Sequence, residues 1–234
     1  MCGIVAVTGY KKALPLLMNG LEKLEYRGYD SAGIAIINSE TNCISCNKAE
    51  GKLKNLISNL NDKNIPGTVG IGHTRWATHG KPEVKNAHPH IDSSGTIAVV
   101  QNGIIENFQE LKNKLEKEGI IFSSDTDTEV IPHLIKRELT TLNKLNLENN
   151  GSTLLVAVRN VISDLEGSYA LAVLWAGAPT SLVVARKQAP LIIGLGEGEF
   201  ICASDTPAIA KFTNIILPLA VSYTHLRAHE TRSY

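Results

Sequence analysis

Cys2 stands second in the chain, behind Met1 and ahead of Gly3-Ile4-Val5. Once Met1 is removed, one residue carries both a thiol and a free α-amino group. A free thiol is only slightly ionised at neutral pH, so a nucleophilic cysteine needs a base. An α-amine has an ordinary pKa of about 7.7–8.0; it can take the thiol proton and return it to a leaving group. With Met1 in place the amine is an amide and the device is absent.

Three further clusters can complete such chemistry. His73-Thr74-Arg75-Trp76-Ala77-Thr78-His79-Gly80 gathers many donors in one loop. The planar Arg75 guanidinium suits a carboxylate, with Thr78 and His79 beside it. Trp76 taken singly reads as packing, and His88 and His90, which follow, read singly as structural hydrogen-bonders. Gln101-Asn102-Gly103 comes after the apolar run Thr96–Val100. By spacing alone Asn-Gly is a hairpin turn; as chemistry, the Asn102 amide and the Gly103 N–H form an oxyanion hole. In Ser124-Asp125-Thr126-Asp127-Thr128-Glu129, Thr126 and Glu129 have capping-box spacing, and acids at a helix start complement its dipole. A D-x-D-x-E metal loop lacks the full ligand pattern. The third option is a carboxylate that holds a ligand ammonium. Together the clusters fit an amino-acid substrate: Arg75 on its α-carboxylate, an acid on its α-ammonium, and Cys2 attacking a side-chain carbonyl beside two oxyanion donors. That is hydrolysis of glutamine by acyl transfer.

The elements that must position these groups follow from periodicity. Residues 4–8 read as a strand, so the terminus is anchored. Leu14, Leu17, Met18, Leu21 and Leu24 lie on one face of a helix over 13–25. Strands are expected over 33–38, 43–49, 68–73 and 96–101, with helices over 51–61 and 106–118. The capping box predicts a helix over 127–139, a polar connection spans 140–151, and a helix covers 153–165. Strands over 168–176, 180–186, 190–195 and 199–204 close the series. Strands, helices and strands without regular βαβ alternation argue for an α+β fold of largely antiparallel sheets. One domain over 2–216 is the simplest division. From Leu217 the periodicity stops. Residues 217–234 are set aside as foreign to the domain, including the His225/His229 pair, which is weak as a metal motif without a third ligand.

Composition narrows the function classes. Lys plus Arg equal Asp plus Glu at 23 each, which gives no electrostatic case for nucleic acid or an anionic membrane. No apolar run approaches the ~18 residues of a membrane span. Cys2, Cys43, Cys46 and Cys202 form no disulfide framework, so a reducing, cytoplasmic setting is expected. Cys43-x-x-Cys46 lacks the second ligand pair of a zinc site and reads as part of a strand. No cofactor or metal is expected.

Six stretches carry a family resemblance: MCGIV at 1–5, LEYRGYDSAG at 24–33, GHTRWATHG at 72–80, NAHPH at 86–90, QNGIIEN at 101–107 and SDTDTEV at 124–130. Together, over Cys2 to about Ile216, the chain resembles the class II glutamine amidotransferase domain of the glutamine–fructose-6-phosphate aminotransferases, or glucosamine-6-phosphate synthases. The resemblance implies a four-layer αββα N-terminal-nucleophile hydrolase sandwich. It implies Cys2 as nucleophile with its own amine as base, and Asn102 and Gly103 as the oxyanion hole. Arg75, Thr78 and His79 would bind the carboxylate side of L-glutamine, and Gly103 with Asp127 its amino end. Arg27 and His88 match positions near the site, and Trp76 matches a gate to an ammonia channel. Gln101 stands where relatives usually carry His, with little effect expected on the chemistry. The family continues into a sugar isomerase domain that binds fructose 6-phosphate, absent from this chain, and its full-length members are expected to be homo-oligomers.

Overall fold

The structure is a computed structural model that describes residues 2–60, 65–77, 80–219 and, for the backbone, 224–227. The chain opens with β1 (Gly3–Gly9), α1 (Ala13–Glu22), β2 (Ser31–Ile37), β3 (Ile44–Glu50), α2 (Leu53–Leu60) and β4 (Gly70–Arg75). It continues with β5 (His90–Ile91), β6 (Ile97–Ile105), α3 (Phe108–Lys117), α4 (Val130–Lys144) and α5 (Gly151–Ser163). The last third is β7 (Gly167–Trp175), β8 (Ser181–Lys187), β9 (Ile192–Leu195), β10 (Glu199–Ala203), β11 (Ile216–Pro218) and β12 (Thr224–Arg227). One sheet has the order β11-β9-β10-β1-β4-β2-β3 and the other β12-β8-β7-β6-β5. Every pairing is antiparallel.

Both sheets are buried on both faces, so their strands read as continuous apolar runs rather than alternating ones. The period of two is still there, sorting residues between layers. In β1, Ile4 and Ala6 enter the core between the sheets, while Val5 and Val7 pack against the α1 side with Leu17 and Leu21. In β6, Ala98 and Val100 meet the same inter-sheet core, and Ile97 and Val99 meet α4 and α5 through residues such as Ile131 and Leu154. The layers are therefore helix, sheet, sheet, helix. Leu17, Leu21 and Ile131 are wholly buried, and truncating any of them to Ala costs about 2–5 kcal/mol.

Two local expectations are corrected. The T-x-x-E capping box does not form: α4 begins at Val130, with Glu129 as N-cap and no side-chain cap. Glu129 instead accepts from Ser123 N, Ser123 Oγ and Ser124 N at 2.6–2.8 Å, which closes the preceding turn. The helix also runs on to Lys144, into the stretch expected to be a connection, because Leu139 and Leu142 carry its buried face that far. Beyond residue 216, Ile216–Pro218 pairs with β9, Leu219 is buried, and Thr224–Arg227 pairs with β8. His229 lies outside the described residues.

Candidate active site

β1 lies fourth in the seven-stranded sheet, and Cys2 sits at its start. Antiparallel pairing brings four chain segments to that point. Gly3 faces Thr74 near the end of β4, Arg75 faces Ser31 at the start of β2, and Ile4 meets Ser204 just past β10. A Cβ on Gly3 would lie 2.6 Å from Thr74 Oγ1 and 2.7 Å from Leu24 Cβ, so only glycine lets the first strand residue approach so closely.

Cys2 is half-buried. Its thiol donates to the Trp76 carbonyl at 3.5 Å, and the Trp76 N–H points back at the sulfur at 3.3 Å. Burial pushes the thiol pKa up, with the Trp76 N–H pulling against it. The resting sulfur is therefore a thiol and not a standing thiolate. The Cys2 carbonyl is gripped by Asn102 Nδ2 at 2.9 Å and Arg27 Nε at 3.2 Å. Arg27 is itself buried, and its Nη1 meets Asp205 at 2.6 Å.

Asn102 and Gly103 are not a turn. β6 runs straight through them to Ile105, pairing Asn102 with Ala170 and Gly103 with Tyr169. Gly103 has φ +108°, and a Cβ there would lie 2.0 Å from the Ser168 carbonyl. Its left-handed backbone within a strand is why the dipeptide mimics a hairpin signal.

A narrow, mostly polar cleft opens here, lined by Cys2, Arg75, Trp76, His88, Gln101, Gly103, Thr126, Asp127 and Thr128. Arg75 is buried, with Nη1 and Nη2 3.3 Å from the Lys81 and Gly80 carbonyls and Asp30 4.0 Å away. Of the acids in the 124–129 run, Asp127 alone lines the cleft, between Thr126 and Thr128. It is buried and accepts from Ile105 N at 2.8 Å. Asp125 instead meets Lys85 at the surface. Trp76 is 47% exposed and sits edge-on to Tyr29. Thr78 and His79, expected to bind, lie outside the described residues. Among the described residues no cluster of three His, Cys, Asp or Glu side chains could hold a metal ion. No helix there is long and apolar enough to cross a membrane.

The structure adds supporting groups to which the sequence reading gave no role, namely His73, Asp30 and Asp205. His73 Nε2 lies 3.0 Å from Asn102 Oδ1 and 3.1 Å from the Gln101 carbonyl; burial pushes its pKa down to about 3, so the ring is neutral. His88 stacks on it, 4.1 Å between ring centres, and Nδ1 of His88 accepts from Gln101 N. Asp30 accepts from Ala77 N and holds the loop after β4. Nothing in the local sequence marks Asp205, whose partner Arg27 lies 178 positions away, and Asp30, although within LEYRGYDSAG, finds its partner 47 positions on.

A model of the glutamine amidotransferase domain family matches residues 73–211, which is more than half of the chain and holds Arg75, Asn102, Gly103 and Asp127. The chain belongs to the glutamine amidotransferase domain family. This amidotransferase domain is 56% identical over 219 residues to a glutamine–fructose-6-phosphate aminotransferase (isomerizing) of Thermosynechococcus vestitus, covering 94% of the chain and 34% of the relative. It is 52% identical over 213 residues to the corresponding protein of Pyrococcus horikoshii, covering 91% and 34%. The domain thus spans about a third of the length of these curated relatives. Among solved structures, the glutamine phosphoribosylpyrophosphate amidotransferase of B. subtilis superimposes with TM-score 0.74 at 27% identity, over 97% of this chain and 49% of that one. A structure described as the allosteric regulatory enzyme of purine biosynthesis gives 0.75 at 29%, over 97% and 44%. Its four layers are those of the N-terminal-nucleophile amidotransferases.

Proposed function

We propose that this domain is the glutamine-hydrolysing half of a glutamine–fructose-6-phosphate aminotransferase. The observation that carries the reading is the meeting of Cys2, Arg75, Gly103 and Asp127 on one cleft from four separated stretches of chain. Identities of 52–56% to the sugar-phosphate enzymes, against 27–29% to the purine-type structures, favour the former branch.

The chemistry follows from the geometry. The glutamine α-carboxylate takes the Arg75 fork, exchanging its two 3.3 Å carbonyl contacts for charge-assisted bonds, which are roughly twice as strong as neutral ones. The α-ammonium faces Asp127. After Met1 removal the Cys2 amine accepts the thiol proton as sulfur attacks the side-chain amide carbon. A C–S bond forms, and the developing oxyanion is met by the Asn102 amide and the Gly103 N–H. The C–N bond then breaks, the leaving nitrogen takes the proton from the amine, and ammonia departs. Water, deprotonated by the same amine, hydrolyses the thioester to glutamate. Thr78 and His79 would close on the carboxylate side and Trp76 would gate the ammonia exit. Arg27 does not line the cleft; its contribution is to fix the Cys2 carbonyl. No cofactor is required. Ammonia transfer to fructose 6-phosphate, giving glucosamine 6-phosphate, is proposed for this domain joined to an isomerase domain, in a cytoplasmic setting.

The test is labelling with the glutamine-analogue electrophile diazo-oxo-norleucine. One equivalent should add to the N-terminal peptide, and Cys2→Ala should take none. Labelling of Cys43, Cys46 or Cys202 in place of Cys2 would overturn the reading. Adding a sugar isomerase domain and fructose 6-phosphate should then yield glucosamine 6-phosphate; no such product would move the domain to another branch.

A further inference from the structure

His73 is buried, lies outside the cleft lining, and has no step in the chemistry above. Its Nε2 nevertheless sits between two oxygens, the Gln101 carbonyl at 3.1 Å and Asn102 Oδ1 at 3.0 Å. A backbone carbonyl can only accept, so Nε2 must carry the proton. The Asn102 atom facing it must then be the amide oxygen, because the alternative flip would set two donors against each other. This fixes the other end of the amide. Asn102 Nδ2 points at Cys2, donating to its carbonyl at 2.9 Å, which leaves its second N–H for the oxyanion of the proposed chemistry.

The ring is held in that tautomer from behind. Among the described residues its Nδ1 meets no hydrogen-bond partner, and it is shielded from solvent, which suits a bare nitrogen and not a protonated one. His88 stacks on it at 13° between planes and is itself fixed, its Nδ1 accepting from Gln101 N at 3.2 Å. His90 sits edge-on to His88 and reaches Thr126 Oγ1 at 3.0 Å. The chain of contacts runs from Thr126 through three imidazoles to the Asn102 amide.

We infer that His73 is a positioning residue for glutamine cleavage: a permanent Nε2–H donor that locks the Asn102 amide with its nitrogen toward the substrate oxyanion. The inference rests on the proposed glutaminase reading. Misplacing a pre-aligned group by about 1 Å can cost 10²-fold, and losing one oxyanion donor costs about 10²–10³-fold in kcat. His73→Leu should therefore lower kcat about 10- to 100-fold and leave KM within a few-fold, since Arg75 and Asp127 are untouched. His73→Gln, which can place an N–H near the same spot, should recover much of the loss. In an Asn102→Ala background, His73→Leu should cost nothing further.

The measurement is glutamine hydrolysis by the Met1-processed chain and these variants, with diazo-oxo-norleucine labelling alongside. Equal, multiplicative losses from His73→Leu in both backgrounds would overturn the inference, and so would a loss confined to KM. A wild-type chain that neither hydrolyses nor labels would instead defeat the glutaminase reading. If His73→Leu does not fold, the unaltered chain still decides the geometry through imidazole ¹⁵N spectra. A His73 ring protonated only at Nε2, with Nδ1 bare down to pH 5.5, supports the inference; protonation at Nδ1 sinks it.

Discussion

The row of three buried imidazoles behind Asn102 sets a limit on acid stability. Burial lowers the pKa of His73 to about 3 and pushes His88 and His90 well below their ordinary value, with the charges of Arg75 and Lys48 acting in the same direction and Glu129 opposing them at His90. In the unfolded chain each reverts to about 6.5. The unfolded state therefore takes up protons that the folded state refuses. Stability is intact above pH 6.5 and falls as pH drops, until the folded pKa values are reached. At pH 5 the linkage costs about 1.36 × 1.5, or about 2 kcal/mol per histidine, and about 6 kcal/mol for the three. Domains are typically stable by about 5–15 kcal/mol, so this one should approach unfolding near pH 5. Glu129 adds to the loss below about pH 4.5. Burial alone would raise its pKa, but the bonds from Ser123 and Ser124, with His133 3.8 Å away, lower it instead. That contribution is present above the ordinary carboxylate pKa of about 4.3 and disappears as pH falls through it. The assay is urea unfolding followed by circular dichroism at pH 7.5, 6.5, 5.5 and 5.0. The free energy should fall with a slope approaching three protons, and His88→Gln should remove about one proton from that slope. A free energy flat between pH 7 and 5 would refute the claim that these rings are buried neutral.

Glutamine hydrolysis should show a separate, higher acid limb. If the Cys2 amine is the base, kcat/KM rises with pH through about 7.7–8.0, and retaining Met1 removes activity by on the order of 10³-fold or more, as Cys2→Ala does; an acid limb near 6.5 in the processed enzyme would point to a histidine base. Arg75→Lys keeps the charge but loses the fork, so KM for glutamine should rise about 10- to 100-fold in steady-state assays, with kcat changed less. Gly103→Ala meets the Ser168 carbonyl and a φ of +108°, and should cost more than about 2 kcal/mol in urea unfolding as well as abolishing labelling of Cys2.

Much of the fold was legible because its strands and helices are strongly periodic. Leu17, Leu21, Leu53 and Leu56 announce the helices that cover one sheet, and the unbroken run Ile4–Val7 announces a strand buried on both faces. The boundaries that failed did so for physical reasons. Glu129 has two competing uses, cap or turn-closer, and Ser123 and Ser124 supply three donors against the one N–H a capping box offers. Asn102-Gly103 looked like a turn because the residue that tolerates a hairpin is the same one that tolerates φ +108° in a strand pressed against Ser168.

The site divides along the same line. The groups proposed to bear on a substrate, Cys2, Arg75 and Asp127, stand out by residue type and local clustering, and the structure brings all three to one cleft. Groups that aim them do not stand out, since aiming is a tertiary property. His73 reads as one more donor of a polar octet until β4 is laid beside β1 and β6 is laid across from it, when its Nε2 falls 3.0 Å from the Asn102 amide. Arg27 was expected near the site; the structure sets it on the Cys2 carbonyl and on Asp205, a residue with no local signature. An N-terminal nucleophile has a reason to need this. With Met1 removed, Cys2 would have no preceding residue to orient it, and two side chains from distant parts of the chain hold its carbonyl at 2.9 and 3.2 Å. On the proposed mechanism, these two bonds would hold the backbone of Cys2 in place while its own amine exchanges the proton with its sulfur.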